Sequence, residues 1–526
     1  MSFPNEYVHV SPMNEKFTIS TEHRCTWREN LGKNVSSPHS KHDWKKPEVK
    51  VFPDVLSAFG NTPLIKLDKI PRQAGLKCNI YAKCEFLSPG GSVKDRVVRR
   101  IFEDSERQGI LKPGMTVIEA SSGNTGIALA LVSAVKGYKC VIVMSEKTSQ
   151  EKEAVIRSLG ARVVRVSVEL PSHPDGPHAT ACRLRQEIPN SIILDQLSNP
   201  GNPLTHYDVT AEEILYQLDN KVDMIVLGAG TGGTMTGIGR KFREVSPHTK
   251  IVGIDPEGSP FAVPASLNET DVTFFEVEGF GFETVPSALD RSVCDFWVKT
   301  NDPESFRMAR RLIREEGLLA GATSGAALAA ALNLAKDLDE GQNVVLFFPD
   351  SIRNYLTKFV SDQWMEAKGF QPCLNRNDLW WWEHRVSALK LQKPLTVRCN
   401  DSIGRILVLL EETDSTGAAV LKSDGSLLGI TTLQQITNKL ISGEWDEADT
   451  IEKHTIKIFH KLDKDAILGR VSRVLEKDPF VLVVETTGAG PTKSEKPIGF
   501  IEGRDLLDYA RSRDNNGNVL RRMCCK

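Results

Sequence analysis

The chain has 526 residues, 40% hydrophobic and 25% charged, the make-up of a globular protein of two or three domains. A net charge of -2 excludes a global field for nucleic acid or acidic membranes, and no apolar run reaches the ~20 residues of a membrane span. The ten cysteines include no CxxC pair and the opening "MSFPNEYVHVSPMNEKF" lacks a signal-peptide core, so reduced thiols and a cytoplasmic location are expected.

Residues 1–45 are polar and without periodicity, and read as a tail. Over 46–370, short apolar runs alternate with amphipathic segments. "NIYAKCEF", "MTVIEA", "KCVIVM", "RVVRVS", "MIVLGAG", "KIVGID" and "NVVLFFPD" predict strands, several apolar throughout, as buried parallel strands are. "GNTGIALALVSAVKGY" and "SQEKEAVIRSLGA" predict helices between them, and an α/β fold with parallel sheets follows. Residues 371–385 read as a linker in which Trp380, Trp381 and Trp382 are expected to pack against a neighbour. Residues 386–526 contain an internal pair. "GAAVLKSDGSLLGITTLQQITNKL" and "FVLVVE…KPIGFIEGRDLLDYA" each predict strand, turn, strand, helix, and the first copy turns through Asp424-Gly425.

Four loop-to-helix turns carry the chemistry. "GAGTGGTMTGIGR" contains a G-x-G-x-x-G at Gly228, Gly230 and Gly233, with Asp255 about where a ribose-binding acid would stand. The same loop offers the Thr231 and Thr234 hydroxyls beside free backbone amides, which suits a phosphate monoester. Both readings stand on the glycines alone. "SPGGSVKDR" places Lys94 at the start of a helix, where it is either a solvated residue or an amine for Schiff-base chemistry. In "EASSGNTG", Ser121, Ser122, Asn124 and Thr125 crowd around Gly123 in a turn sized for a carboxylate; "GATSG" adds Thr323 and Ser324. Each turn alone is explained by helix capping; four on one scaffold, one bearing a lysine, are not.

In this order, "SVKDR", "SSGNTG", "GAGTGGT" and "GATSG" resemble the pyridoxal-phosphate enzymes of the tryptophan-synthase-β-like class, fold type II, over residues 46–370. The resemblance implies that Lys94 is the Schiff-base lysine and that Asn124 meets the ring hydroxyl of pyridoxal 5'-phosphate. It implies that Gly230, Thr231, Gly232, Gly233 and Thr234 hold the phosphate, and that Thr323 faces the pyridine nitrogen. Ser121, Ser122, Gly123 and Thr125 would hold the substrate carboxylate. The glycine loop then serves one phosphate, and Asp255 becomes a strand-end residue. A neutral hydroxyl at the ring nitrogen makes a weaker electron sink than a carboxylate, so β-elimination and β-replacement are the expected reactions.

"HRCTW", "SSPHSKH", "NPLTHYD", "IDPEGS", "PDSIRNYLTKF" and "LWWWEHR" are similar to the haem-containing animal branch of this class, whose C-terminal module is a tandem CBS repeat. That implies a lyase-type β-replacement of L-serine with L-homocysteine, giving cystathionine and water, with hydrogen sulfide from cysteine as a side activity. It implies a homodimer or larger homo-oligomer. Tyr207, Gly279 and Gly281 would shape the second-substrate pocket, where Phe282 replaces the family's tyrosine. Cys25 and His39 would be the axial ligands of haem b. Arg240, ten residues after Gly230 and so roughly 15 Å along a helix, would pair with the thiolate. Asp505 matches a ribose-binding aspartate of the repeats, but Gln435, Thr416 and Glu502 depart from the ligand-binding pattern. S-adenosylmethionine is therefore not the expected ligand, and a structural or dimer-capping role is. Two rival readings are a cysteine synthase using O-acetylserine and sulfide, and a non-catalytic adenosyl-ligand sensor. Cys25, His39 and the repeats argue against the first, Lys94 against the second.

Overall fold

Strands that are apolar throughout need cover on both faces, and this chain supplies it with helices. The structure, a computed structural model, describes residues 33, 49–121, 123–145, 148–166, 176–272, 274–457, 459–487 and 494–512. The chain divides into two compact units, Met1–Phe52 and Pro53–Lys526, and every helix and strand among the described residues lies in the second.

The larger sheet runs β1 (Leu64–Leu67), β2 (Asn79–Cys84), β10 (Asn343–Phe348), β7 (Met224–Gly228), β8 (Lys250–Pro256), β9 (Phe296–Thr300), and is parallel except for β1. The smaller runs β5 (Arg162–Val166), β4 (Lys139–Ser145), β3 (Thr116–Ala120), β6 (Ser191–Ile193), all parallel. All seven strands expected from apolar runs are present. β1, β6 and β9 were not legible, because they lie at sheet edges where half-exposed residues interrupt the apolar pattern. The alanine-rich helix Ala322–Leu334 is buried from Ala322 to Ala331 and packs against β7 and β10. The loops after β2, β3, β7 and β10 all leave carboxyl ends of strands, the side on which open α/β sheets place ligands.

The C-terminal pair forms two sheets of identical plan. β11 (Thr396–Arg398) is parallel to β12 (Gly417–Leu421), which makes a hairpin with β13 (Leu427–Thr432). β14 (Lys461–Leu462), β15 (Phe480–Thr487) and β16 (Ser494–Glu502) repeat this. The first hairpin turns at Asp424-Gly425, where Gly425 has φ +84° and Asp424 Oδ1 accepts from the Ser426 amide. The repeats share a small core in which Phe480 meets Phe500 edge-on at 4.5 Å, beside Ala419 and Ile430.

The module docks on the larger part through the helices Asp362–Lys368 and Leu468–Leu475. Arg473 pairs with the buried Glu366, and Arg470 donates to the Ala367 carbonyl at 2.9 Å. The tryptophans pack as expected: Trp382 is buried under Arg473, and Trp380 lies 5.5 Å from Tyr509.

Candidate active site

The helix Lys94–Arg107 begins in a cluster of buried charge. Asp95 accepts from the Ser88 hydroxyl at 2.6 Å and the Gly90 amide at 2.7 Å, closing the turn before the helix. Arg96 pairs with Glu85 at 2.6 Å and Glu213 at 2.7 Å, and Lys83 joins Glu213 at 2.7 Å. Removing one partner of such a network strands a buried charge at about 3–5 kcal/mol, so the start of this helix is rigidly placed. Lys94 stands on it, half-buried. Burial pushes its amine down to about 8, while the Asp350 carboxylate pulls the other way. Among the described residues Lys94 Nζ has no hydrogen bond.

Asp350, just after β10, is buried. It accepts from Asn124 Nδ2 at 2.8 Å and from the Tyr355 hydroxyl, and its Oδ1 has no partner among the described residues. Asn354 donates to Asn124 Oδ1 at 2.8 Å, so the Asn124 amide is held at both ends.

The turn after β3 is built on Gly123, whose φ of +130° excludes a side chain. A Cβ there would lie 2.2 Å from Lys152 Cδ. Ser121 Oγ accepts from the Gly126 amide at 2.9 Å, in the first turn of the helix Asn124–Lys136. Thr125 Oγ1 donates to Gln196 Oε1 at 2.6 Å. Beneath the turn, Lys152 donates to Glu278 at 2.6 Å, and Lys358 joins the same carboxylate. Burial alone would raise Glu278, but the two ammonium groups hold it at about 2.

The glycine loop opens the helix Gly233–Val245. Side chains have no room here: a Cβ on Gly230 would lie 2.5 Å from the Gly279 carbonyl, and one on Gly233 1.9 Å from Asn202 Oδ1. Thr231 Oγ1 accepts from Asn202 Nδ2 at 2.9 Å, and Thr234 Oγ1 lies 3.2 Å from His206 Nε2. Burial, reinforced by Arg96 and Lys94, pushes His206 well below its ordinary value, so this neighbour is neutral. Thr323 Oγ1 donates to the Glu278 carbonyl at 3.2 Å, and its methyl sits 2.9 Å from the place of a Gly228 Cβ. Hydrogen bonds thus join Asn124 to Asp350, Thr125 through Gln196 and Asn202 to Thr231, Thr234 to His206, and Thr323 to Glu278, while Asp350 acts on Lys94 through its charge alone.

A cavity of about 270 Å³ is lined by Ser121, Gln196, Gly279, Gly281 and Phe282 among others. Tyr207 is not brought to it. Its hydroxyl donates to Glu244 and its ring lies under Lys241, because in the turn His206–Thr210 the inward direction is taken by His206. Asp255 is a loop anchor at a strand end, accepting from Lys299 at 2.8 Å and from the Phe261 and Ala262 amides. Arg240 is exposed and pairs with Asp290 at 2.9 Å. Ser122, Cys25 and His39 lie outside the described residues. Sequence reasoning missed Glu119, Lys152, Gln196, Asn202 and Asp350. Glu119, Asn202 and Asp350 stood in the motifs "EASSGNTG", "NPLTHYD" and "PDSIRNYLTKF", and Lys152 in a predicted helix, but none is distinguishable from a surface polar residue without the fold.

Residues 55–350 match the pyridoxal-phosphate dependent enzyme family. The cystathionine beta-synthase of Apis mellifera is 46% identical over 504 residues, 94% of this chain and 97% of that protein. That of Rattus norvegicus is 45% identical, covering 97% and 93%. The chain belongs to the cystathionine β-synthase family of pyridoxal-phosphate-dependent enzymes. The crystal structure of an O-acetylserine dependent cystathionine beta-synthase from Helicobacter pylori aligns at 36% identity and TM-score 0.54, over 59% of this chain and 99% of that one. The family fold is therefore that of type II pyridoxal-phosphate enzymes.

The residues present fit the family's cofactor. A 13-residue helix directs its first amides at a loop that side chains cannot enter, with two hydroxyls beside it. A lysine with a readily neutral amine stands on a fixed helix start, and Ser324 Oγ is buried without a partner next to Thr323. Among the described residues no group of three or more His, Cys, Asp or Glu is arranged to hold a metal ion, and no helix is long and apolar enough to cross a membrane.

Proposed function

We propose that this chain condenses L-serine with L-homocysteine, giving L-cystathionine and water. The observation that carries the reading is the amine of Lys94, held low by burial on a rigid helix start, on the same scaffold as a side-chain-free anion cradle and a carboxylate-sized turn.

Pyridoxal phosphate, when bound, supplies a carbonyl carbon that captures amines covalently and a conjugated ring that delocalises the electron pair left at Cα. The amides of Gly232 to Thr234 and the hydroxyls of Thr231 and Thr234 receive its phosphate. Asn124, clamped between Asp350 and Asn354, presents its amide edge to the ring hydroxyl. Thr323 offers a neutral hydroxyl at the ring nitrogen. Ser121, Ser122, Gly123 and Thr125 bind the carboxylate of serine, which orients its Cα–H toward Lys94. Lys94 takes that proton and later returns it to Cα. Between these transfers the Cβ–O bond breaks, the thiol sulfur forms the Cβ–S bond, and the departing hydroxyl leaves as water with the thiol proton. The cavity bounded by Gly279, Gly281 and Phe282 admits the second substrate. Cysteine in place of serine would release hydrogen sulfide.

Further parts of the reading rest on sequence. Residues 1–45 form the haem b segment with Cys25 and His39 as iron ligands and Arg240 as thiolate partner. Residues 46–370 are the catalytic domain, 371–385 the linker and 386–526 a structural or dimer-capping module, in a cytoplasmic homodimer. Glu502 supports the view of the module: it accepts from Thr416 at 2.6 Å, so two of the residues that depart from the ligand-binding pattern engage each other.

Lys94→Ala tests the central claim. Loss of turnover by about 10³-fold, together with loss of gel-filtration-stable visible absorbance, is expected. Retained turnover would sink it. Turnover with O-acetylserine and sulfide but not with serine and homocysteine would favour the cysteine-synthase reading.

A further inference from the structure

Asn202 is buried to 1% exposure, and no step of the proposed reaction uses it. Its side-chain amide lies between two loops with different tasks. Nδ2 donates to the Gln196 carbonyl at 2.9 Å and to Thr231 Oγ1 at 2.9 Å. The Gln196 carbonyl can only accept, so the atom facing it must be the NH2, which settles the amide's orientation. Thr231 Oγ1 then receives a hydrogen bond from Asn202, and its own single hydrogen remains to be donated into the glycine loop. The other end of the Asn202 amide, Oδ1, has no partner among the described residues and lies flat on Gly233, occupying the space of a side chain there.

On its far side Gln196 is held twice. Its amide donates to buried Glu119 at 3.1 Å, next to the Asp195 amide on the same carboxylate, and its side chain accepts from Thr125 at 2.6 Å. One connected path therefore runs from Thr125 in the carboxylate turn, through Gln196 and Asn202, to Thr231 in the phosphate loop. Every link is a hydrogen bond between buried groups, where a lost partner is expensive.

We infer that Asn202 is a positioning residue that sets the Thr231 hydroxyl for the cofactor phosphate and ties that loop to the turn receiving the substrate carboxylate. This rests on the proposed roles of Thr231 and Thr125. Replacing Asn202 by an acceptor of the same shape would disturb both ligands at once, although it touches neither.

The test uses the full-length protein with four single variants, Asn202→Asp, Asn202→Ser, Thr231→Val and Thr125→Val, and the double variant Asn202→Asp/Thr231→Val. Cofactor affinity is read by equilibrium dialysis, serine KM at saturating cofactor, and the bound phosphate by its ³¹P chemical shift. Asn202→Asp is expected to weaken cofactor affinity by about tenfold and raise serine KM about fivefold, with kcat falling less than either. Thr231→Val should move only affinity and the ³¹P shift, and Thr125→Val only serine KM. In the double variant Asn202→Asp/Thr231→Val, the affinity losses should be less than additive. Asn202→Ser keeps a small hydroxyl donor, serves if the aspartate variant does not fold, and should show the same paired effect at smaller size. Affinity and KM both within twofold of wild type in a folded Asn202 variant would overturn the inference, as would full additivity with Thr231→Val. If Thr231→Val itself leaves affinity and the ³¹P shift unchanged, the phosphate-loop reading fails instead.

Discussion

The glycine loop and the junction between the two C-terminal repeats at Thr416 and Glu502 both present polar groups at the ends of elements in α/β frames, and they end in opposite conditions. In the glycine loop, side chains are absent where they would block approach, and Thr231 accepts a hydrogen bond while keeping its hydrogen available. At the repeat junction the corresponding groups satisfy one another. Thr416 donates to Glu502, and Asp505 accepts from the Glu502 amide at 2.8 Å as the helix Gly503–Ser512 begins. A binding site needs polar groups that are oriented by the fold but not satisfied by it; the first turn meets that condition and the second does not.

The comparison breaks most readily at Gly233. Gly233→Ala puts a methyl 1.9 Å from Asn202 Oδ1, which must then move away from Thr231. Equilibrium dialysis should show cofactor affinity reduced about 30-fold, near 2 kcal/mol. An unchanged affinity would mean the loop's emptiness is not what admits the phosphate.

Next in size is the pH response of Lys94. Its amine stands at about 8 in the folded chain against an ordinary 10.5. Between those values the unfolded chain holds a proton that the folded one has released, so this group makes stability rise with pH across that window and opposes folding below it. In cofactor-free protein, labelling of Lys94 by an amine-selective reagent should therefore rise about tenfold from about pH 7 to about pH 9. Asp350→Asn, by removing the attracting carboxylate, should shift the midpoint lower still. A midpoint near the ordinary lysine value would show the amine to be solvated, and the contrast with the satisfied repeat junction would lose its sharpest member.

The smallest effect lies at the repeat junction. S-adenosylmethionine is expected to leave the melting temperature of the wild-type chain unchanged. Glu502→Ala removes the acceptor that engages Thr416, and with the ligand present should raise the melting temperature by about 2–4 °C. Stabilisation of the wild type would show that the Thr416–Glu502 contact opens freely.

Much of the architecture was legible before the fold was known. Seven strands announced themselves as apolar runs, the hairpin at Asp424-Gly425 by its turn residues, and the repeat pair by self-similarity. The four motifs led to Lys94, Asn124 and the glycine loop. Tyr207 shows the limit: its motif placed it in the right segment, but which of two adjacent residues points inward depends on a turn whose pitch no motif encodes. Glu119, Gln196 and Asn202 show the other limit. Their importance lies in hydrogen bonds across 71 or 77 residues of chain, or 29 for Asn202 to Thr231.

By itself, then, the order of residues determined the α/β frame, the family, the positions of the glycine-rich turns and the lysine, because these follow from local periodicity and from backbone conformations that few residues adopt. Only the tertiary structure decided which polar groups face one another: that Asp350 opposes burial at Lys94, that Asn202 spans two loops, that Asp255 anchors a loop and that Glu502 engages Thr416 across the repeats. The reason is physical. Desolvation and hydrogen-bond partnership are properties of a place in three dimensions, and they exist only once distant segments have excluded water from between them.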